Sequence, residues 1–209
     1  MAWKVKVIHK QEQKMSKWSG GTTTELALYP LDSCYKEQNF MWRISTATVD
    51  EAESTFTSLP AYNRILMPLR GDSLLLKHEN QYNKVLHPLE TDSFPGSWKT
   101  VSEGKVQDFN LMFTDDCGGF IHGYRLNGTL TIDTDASSLS GPGKLVTTSL
   151  YICGGPVKVD LPSQNYSLTL VDGDFVTFTG SLEDDPAILT LTLAEEAAET
   201  ILACTTVKY

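Results

Sequence analysis

Long apolar runs are missing from this chain. No stretch approaches the ~20 residues that a membrane-crossing helix requires. The N-terminal run Met1-Ala2-Trp3-Lys4-Val5-Lys6-Val7-Ile8 alternates apolar and basic residues, unlike the apolar core of a secretion signal. Positive charge is also in short supply: 17 Lys and Arg stand against 26 Asp and Glu, for a net charge of −9. That balance argues against a nucleic-acid groove or an anionic membrane surface as partner. Cys34, Cys117, Cys153 and Cys204 are widely spaced and form no CxxC pair, so no zinc-finger pattern exists. Their even number is compatible with disulfides, but the missing export signal and the 209-residue length, enough for a large core, favour reduced thiols and a cytoplasmic location.

What the chain does carry is a period of two. Lys4–Ile8, Trp42–Val49, Ile65–Leu69, Ser73–Lys77, Asp108–Phe113, Leu126–Ile132, Val157–Leu161, Tyr166–Val171, Phe175–Thr179 and Ile188–Leu193 read as short strands. Each is rich in β-branched or large apolar residues and is bounded by Gly, Pro, Asn or Asp. Many short strands at close spacing predict a sandwich or barrel, because closure removes exposed edges. Helical pattern is scarce. Ala194–Ala203 is its best candidate, yet Ile201, Ala203, Thr205 and Val207 alternate as a strand would.

A faint internal repeat organises these strands. Leu69-Arg70-Gly71, an apolar strand and Asp92 to Gly96 correspond to Ile152-Cys153-Gly154-Gly155, an apolar strand and Asp174 to Gly180. In both, glycine permits the positive φ of a tight hairpin turn, and an aromatic stands two residues before a second glycine. The expected architecture is all-β with little helix, in two halves covering 1–115 and 116–209. Asp115–Tyr124, with Gly118-Gly119, reads as the joint, and the Ser-, Gly- and Asp-containing Asp133–Gly143 as a surface excursion.

The most specific residues lie in the first half. Trp18-Ser19-Gly20-Gly21-Thr22-Thr23-Thr24-Glu25-Leu26 is followed by Phe40-Met41-Trp42-Arg43-Ile44-Ser45-Thr46-Ala47. Then come Phe56, Pro60, Arg64, Leu69-Arg70-Gly71, Phe94-Pro95 and Asp108-Phe109-Asn110-Leu111-Met112. In this order they resemble the HutD/Ves family, densely over about the first 115 residues and by architecture beyond. The resemblance implies a bicupin, two cupin-like double-stranded β-helix barrels packed together. It also implies a small-molecule-binding protein; some relatives are linked to the regulation of histidine utilisation and others to stress responses. The family's first motif usually has asparagine after the tryptophan and arginine before the glutamate, whereas Ser19 and Thr24 stand here.

Metal-binding cupins converge His-x-His, a glutamate and a later histidine on one ion. This chain has four histidines, His9, His78, His87 and His122, and no His-x-His; His87 and Glu90 offer two ligands without a third. Neither metal nor other cofactor is therefore expected. Arginine takes the metal's place as anchor. Arg64, between Pro60 and an apolar strand, needs an anionic partner if it points inward: a carboxylate ligand, or Glu25 or Asp108 in a structural ion pair. Arg43 shares a strand face with Ser45 and Ala47, either surface or barrel interior. Asn110 shares a face with Met112, and an inward amide needs partners, structural or from a ligand. Trp18, Gly20-Gly21, Thr22 and Thr23 form either a loop capping the barrel mouth or a tight turn with Trp18 packed on the sheet. The expected ligand site is thus Arg64, Arg43, Ser45, Asn110, Trp18, Thr23 and Glu25, holding a small acidic metabolite. Two alternatives remain: a metal-free isomerase or epimerase with a His or Tyr base, such as His87 or His122 beside Glu90 or Asp116, and an interaction scaffold with a filled barrel. A homodimer is compatible with each.

Overall fold

The computed structural model describes residues 2–194 and 199–209. Among the described residues it contains nineteen strands, three single 3-10 turns and no α-helix. No helix among the described residues is long and apolar enough to cross a membrane. The strands are, in chain order, β1 (Lys4–Ile8), β2 (Lys14–Trp18), β3 (Gly21–Tyr29), β4 (Trp42–Val49), β5 (Glu53–Thr55), β6 (Asn63–Gly71), β7 (Leu74–His78), β8 (Asn83–Leu86), β9 (Asp92–Pro95), β10 (Thr100–Glu103) and β11 (Val106–Phe113). They continue as β12 (Gly118–Leu126), β13 (Thr129–Asp133), β14 (Leu145–Cys153), β15 (Val157–Leu161), β16 (Tyr166–Leu170), β17 (Phe175–Ser181), β18 (Ile188–Leu193) and β19 (Thr200–Lys208).

The internal repeat is an eight-strand unit used twice. In the first copy β4-β11-β6-β9 form one sheet and β5-β10-β7-β8 another; in the second, β12-β19-β14-β17 and β13-β18-β15-β16 repeat both orders. The equivalent turns β6–β7 and β14–β15 hold Gly71 at φ 111° and Gly154 at φ 124°, a backbone region that side chains with a Cβ rarely enter. The three strands before the repeat close the edges. β2 and β3 extend the first large sheet beside β4, while β1 crosses to the second and pairs with β17.

Three main apolar clusters stack the four sheets. Leu66, Leu74, Leu76, Leu86 and Phe94 fill the first half. Leu150, Val159, Phe178, Leu191 and Leu202 fill the second. Between them, Ile44, Met67, Phe109 and Leu111 of the first large sheet meet Tyr151, Phe175, Ala203 and Val207 of the second. Both large sheets are therefore buried on two faces. This explains why β14, with an eight-residue buried run from Val146 to Cys153, shows little polar alternation.

Several sequence expectations need correction. The strand expected at Leu126–Ile132 is divided, because Asn127-Gly128 makes the turn between β12 and β13. Gly118-Gly119 begin β12 instead of lying in the connection, which is reduced to 114–117. The helical reading of Ala194–Ala203 fails from Thr200 onward, where β19 pairs with both β12 and β14; residues 195–198 lie outside the described residues.

Trp3, just before β1, is buried in the second core. Its indole packs where a Cβ on Gly180 would intrude, and its Nε1–H donates to the Asp185 carbonyl at 3.4 Å. Trp3→Ala should cost about 3–5 kcal/mol in urea denaturation. A loss below about 1 kcal/mol would mean that the N-terminal strand is not integral to the second half.

Candidate functional site

Strand register assembles the site. Residues aligned across antiparallel strands share a face, so the first large sheet turns three rows toward the interior of the first half. One row is Arg43, Met112, Arg64 and Phe94. The next is Glu25, Ser45, Asn110, Leu66 and Asp92. The third is Thr23, Ala47 and Asp108. Of the residues expected from sequence to hold a ligand, all but Trp18 face this one interior. Trp18 ends β2, 37% exposed, with its ring against Gly20 in the β2–β3 turn. The tight-turn alternative describes it.

The two arginines, one strand apart on either side of β11, have backbones separated by roughly 10 Å. Arg43 is satisfied: its Nε donates to Glu25 Oε2 at 2.9 Å and its Nη1 to Ser45 Oγ at 3.0 Å. Its guanidinium also lies 4.4 Å from the Tyr35 ring centroid. Arg64 is not. It is 4% exposed, its Nη2 donates to the Thr57 carbonyl at 2.5 Å, and its guanidinium stands 5.5 Å from the Phe56 centroid. Its Nε is buried without a partner, and no carboxylate among the described residues forms an ion pair with it. Neither expected internal partner takes that role. Glu25 is engaged by Arg43, and Asp108 Oδ1 accepts the Ala47 N–H at 3.2 Å.

Desolvation sets the electrostatics. Burial pulls the Arg64 guanidinium below its usual range; the charge of Arg43 adds to this, while Tyr35 and Asp108 oppose it. Burial pushes the Asp108 carboxyl up to about 7, against the Ala47 hydrogen bond and the positive charge of Arg64. Asn110 Oδ1 is a second buried polar atom without a partner. Yet Asn110, on the inward face of a central strand, is only half-buried, as is Ala47 beside it. Solvent therefore reaches the interior at Asn110 and Ala47. Phe40, Leu59, Tyr62 and Met112 form an apolar cluster on the Arg43–Arg64 side, with Tyr62 Oη donating to the Gln38 and Phe40 carbonyls. A small anion with some carbon skeleton suits such a chamber: guanidinium groups for the charge, an amide for orientation, rings for the rest.

One histidine, His78, shares this interior, its ring 4.6 Å from that of Phe94, the cross-strand partner of Arg64. His78 is fully buried, its Nδ1 2.8 Å from Thr100 Oγ1 and its Nε2 3.0 Å from Asp92 Oδ2, so both ring nitrogens are occupied. Asp92 also takes Tyr82 Oη and Lys84 Nζ, which makes this cluster a pin between β7, β8, β9 and β10. His87 and His122 are exposed, and Glu90 binds the His87 backbone N–H instead of its ring. Among the described residues no three His, Cys, Asp or Glu side chains are grouped to hold a metal ion. Sequence reasoning considered Asp108 only as a counter-ion and missed Tyr35, which follows Cys34 in a stretch without periodicity.

Comparison with known proteins adds the following. The HutD family model matches residues 10–198, across both copies of the repeat. An uncharacterized 21.2 kDa protein in the hutC 3′ region of Pseudomonas putida is 28% identical over 114 residues, which is 52% of this chain and 58% of that protein. The chain thus spans little more than half the length of this curated relative. A conserved protein of unknown function from Pseudomonas aeruginosa PAO1 superposes with TM-score 0.79 at 20% identity, over 99% of this chain and 100% of the other. HutD from Pseudomonas fluorescens SBW25, solved in a formate condition, gives 0.67 at 18% identity, over 97% and 98%. The same fold reaches to a cupin 2 conserved barrel domain protein from Leptotrichia buccalis, with 0.52 at 11% identity over 97% and 96%. The fold is the cupin-type bicupin.

The Arg43–Glu25 pair is open to a direct check. Glu25→Ala leaves a buried guanidinium without its carboxylate. With Glu25 itself 27% exposed, the expected loss is roughly 2 kcal/mol, below that of a fully buried pair. Urea denaturation of Glu25→Ala beside Glu25→Gln, which keeps an acceptor oxygen, measures it; equal stability of both variants and the parent would remove the pair from the account.

Proposed function

We propose that this chain, which belongs to the HutD family, binds a small organic carboxylate in the interior of its first half and acts in the cytoplasm as a metabolite-responsive or metabolite-buffering protein. The observation that carries the reading is Arg64: a guanidinium 4% exposed, with an unpartnered Nε and no carboxylate paired to it. Burying a charge without a counter-ion is costly, and a bound carboxylate, gripped through two parallel hydrogen bonds, offsets that cost. Solvent access at Asn110, whose amide N–H groups can donate to a carboxylate, supports a ligand over a filled scaffold. The exposed His87 and His122 and the fully engaged His78 give the isomerase alternative no histidine base beside the arginines.

Asp108 makes the binding pH-dependent. Below about 7 its carboxyl is protonated, and the field around Arg64 and Arg43 is the more positive, with Glu25 paired to Arg43 and Asp92 held by His78 and Lys84. Above about 7 Asp108 ionises and competes with the ligand for Arg64. Carboxylate binding therefore takes up a proton, and affinity falls by up to about tenfold per pH unit above that point. Isothermal titration with formate, acetate and small dicarboxylates between pH 5.5 and 8.5 is the test. Arg64→Lys should weaken the best binder by at least about tenfold, because a point charge replaces a planar fork. Asp108→Asn should flatten the pH profile. Unchanged affinity in a folded Arg64→Lys or Arg64→Ala protein would sink the assignment; a pH profile unaltered by Asp108→Asn would remove the carboxyl from it.

A further inference from the structure

A second cavity lies on the other face of the first large sheet. Where the chain crosses from β1 to β2, the two large sheets splay and leave a groove of about 850 Å³. Its aromatic floor is Tyr29, Trp42 and Tyr209. Tyr29 stacks on Trp42 at 5.8 Å with 9° between planes, and Tyr209 meets Trp42 edge-on at 5.4 Å. The opposite wall is hydroxylic, because Thr177, Thr179 and Thr147 face inward from β17 and β14. Lys4 and Lys6 pair with Thr179 and Thr177 in register, so they extend that same face to the rim, and Lys14 stands at the rim from β2.

Two observations single this groove out as built for a ligand. Trp42 is 4% exposed, lines the groove, and its indole Nε1 has no hydrogen-bond partner. A buried N–H without an acceptor is costly unless something supplies one. Secondly, Lys4, Lys6 and Lys14 form no ion pair among the described residues, in a chain whose net charge is −9. The acidic groups along the groove are already engaged: Glu25 by Arg43, Glu12 by the His9 backbone N–H, and Asp184 by a partner of its own. Lys4, Lys6, Lys14 and the Arg43 that pairs Glu25 outnumber Glu12, Glu25 and Asp184 by one charge, so the rim is slightly positive on an acidic protein.

We propose that this groove binds an amphipathic aromatic anion. The flat apolar body lies on Tyr29, Trp42 and Tyr209, an acceptor atom takes the Trp42 N–H, and the charged end meets Lys4 and Lys6. The volume is that of a small-molecule site, and the aromatic floor combined with a cationic rim selects against both a purely aliphatic ligand and a cation. The groove meets the first-half interior at Glu25 on the β3 edge, where β3 is irregular, but its floor lies on the face opposite Arg64, because Trp42 and Arg43 are adjacent on β4 and point to opposite faces.

The probe is 2-naphthoate, followed by isothermal titration and by the indole N–H resonances in a ¹H–¹⁵N spectrum, with Trp42→Phe identifying the Trp42 signal. The expected result is saturable binding that moves that resonance. The Lys4→Ala/Lys6→Ala double variant, which alters two exposed side chains, should weaken binding by about fivefold while the folded protein keeps its parent spectrum elsewhere. Trp42→Phe keeps an aromatic ring on the floor but removes the indole N–H, and should weaken binding by a similar factor. The cationic analogue 2-naphthylmethylamine should bind more weakly than 2-naphthoate, and Arg64→Ala should leave 2-naphthoate affinity within about twofold, since the chambers are distinct. Absence of binding at millimolar probe overturns the proposal. So does affinity indifferent to the lysines, or lost with Arg64→Ala, which would place the probe in the other chamber.

Discussion

The packing of the two large sheets against each other is the constraint from which the rest follows. Ile44, Met67, Phe109 and Leu111 are committed to that middle layer by their contact with Phe175, Ala203 and Val207. Strand alternation leaves no choice for their neighbours. Once Ile44 and Phe109 face the partner sheet, Arg43, Ser45, Asp108 and Asn110 must face the interior of the first half, and Ile65 and Met67 impose the same on Arg64. A one-residue slip of β4 or β11 would put charge into the middle layer and apolar bulk into the chamber, so the register that packs the core also aims the site.

Burial then divides the two arginines into different roles. Arg43, with Glu25, Ser45 and the Tyr35 ring, is a finished ion pair whose geometry is set without a ligand. Arg64 is an unfinished one, held by Thr57 and Phe56 with its Nε left unpartnered. One guanidinium is thus fixed by protein groups alone, while the other keeps an unmet hydrogen-bond capacity in the same interior. The buried Asp108 is part of the same balance, since it changes charge near neutrality while the arginines do not.

Much of this was legible in the sequence. The period of two, the glycine turns and the W-R-I-S run identified the barrels, their duplication and the half that holds the arginines. The face of Arg43 was not legible, because small Ser45 and Ala47 suit a surface and a cavity alike; only the apolar partner sheet behind Trp42 and Ile44 decides it. β14 and β19 were obscured because buried strands with interior threonines lose polar alternation. The place of Trp18 stayed open between two readings because a Trp-Ser-Gly-Gly turn reads the same whether it lies over a barrel mouth or at a sheet edge. The orphaned state of Arg64 Nε is a three-dimensional fact that no spacing rule encodes.

The pairing of β1 with β17 also sets an order of events. Val5 has Phe178 as its partner, so β1 is made well before the strand on which it docks. Its closure is the most non-local pairing in the molecule and awaits synthesis of nearly the whole second half. During that interval β1 is an unpaired strand, open to pairing with another chain. Lys4 and Lys6, alternating along it, are the charges that guard such an edge against self-association.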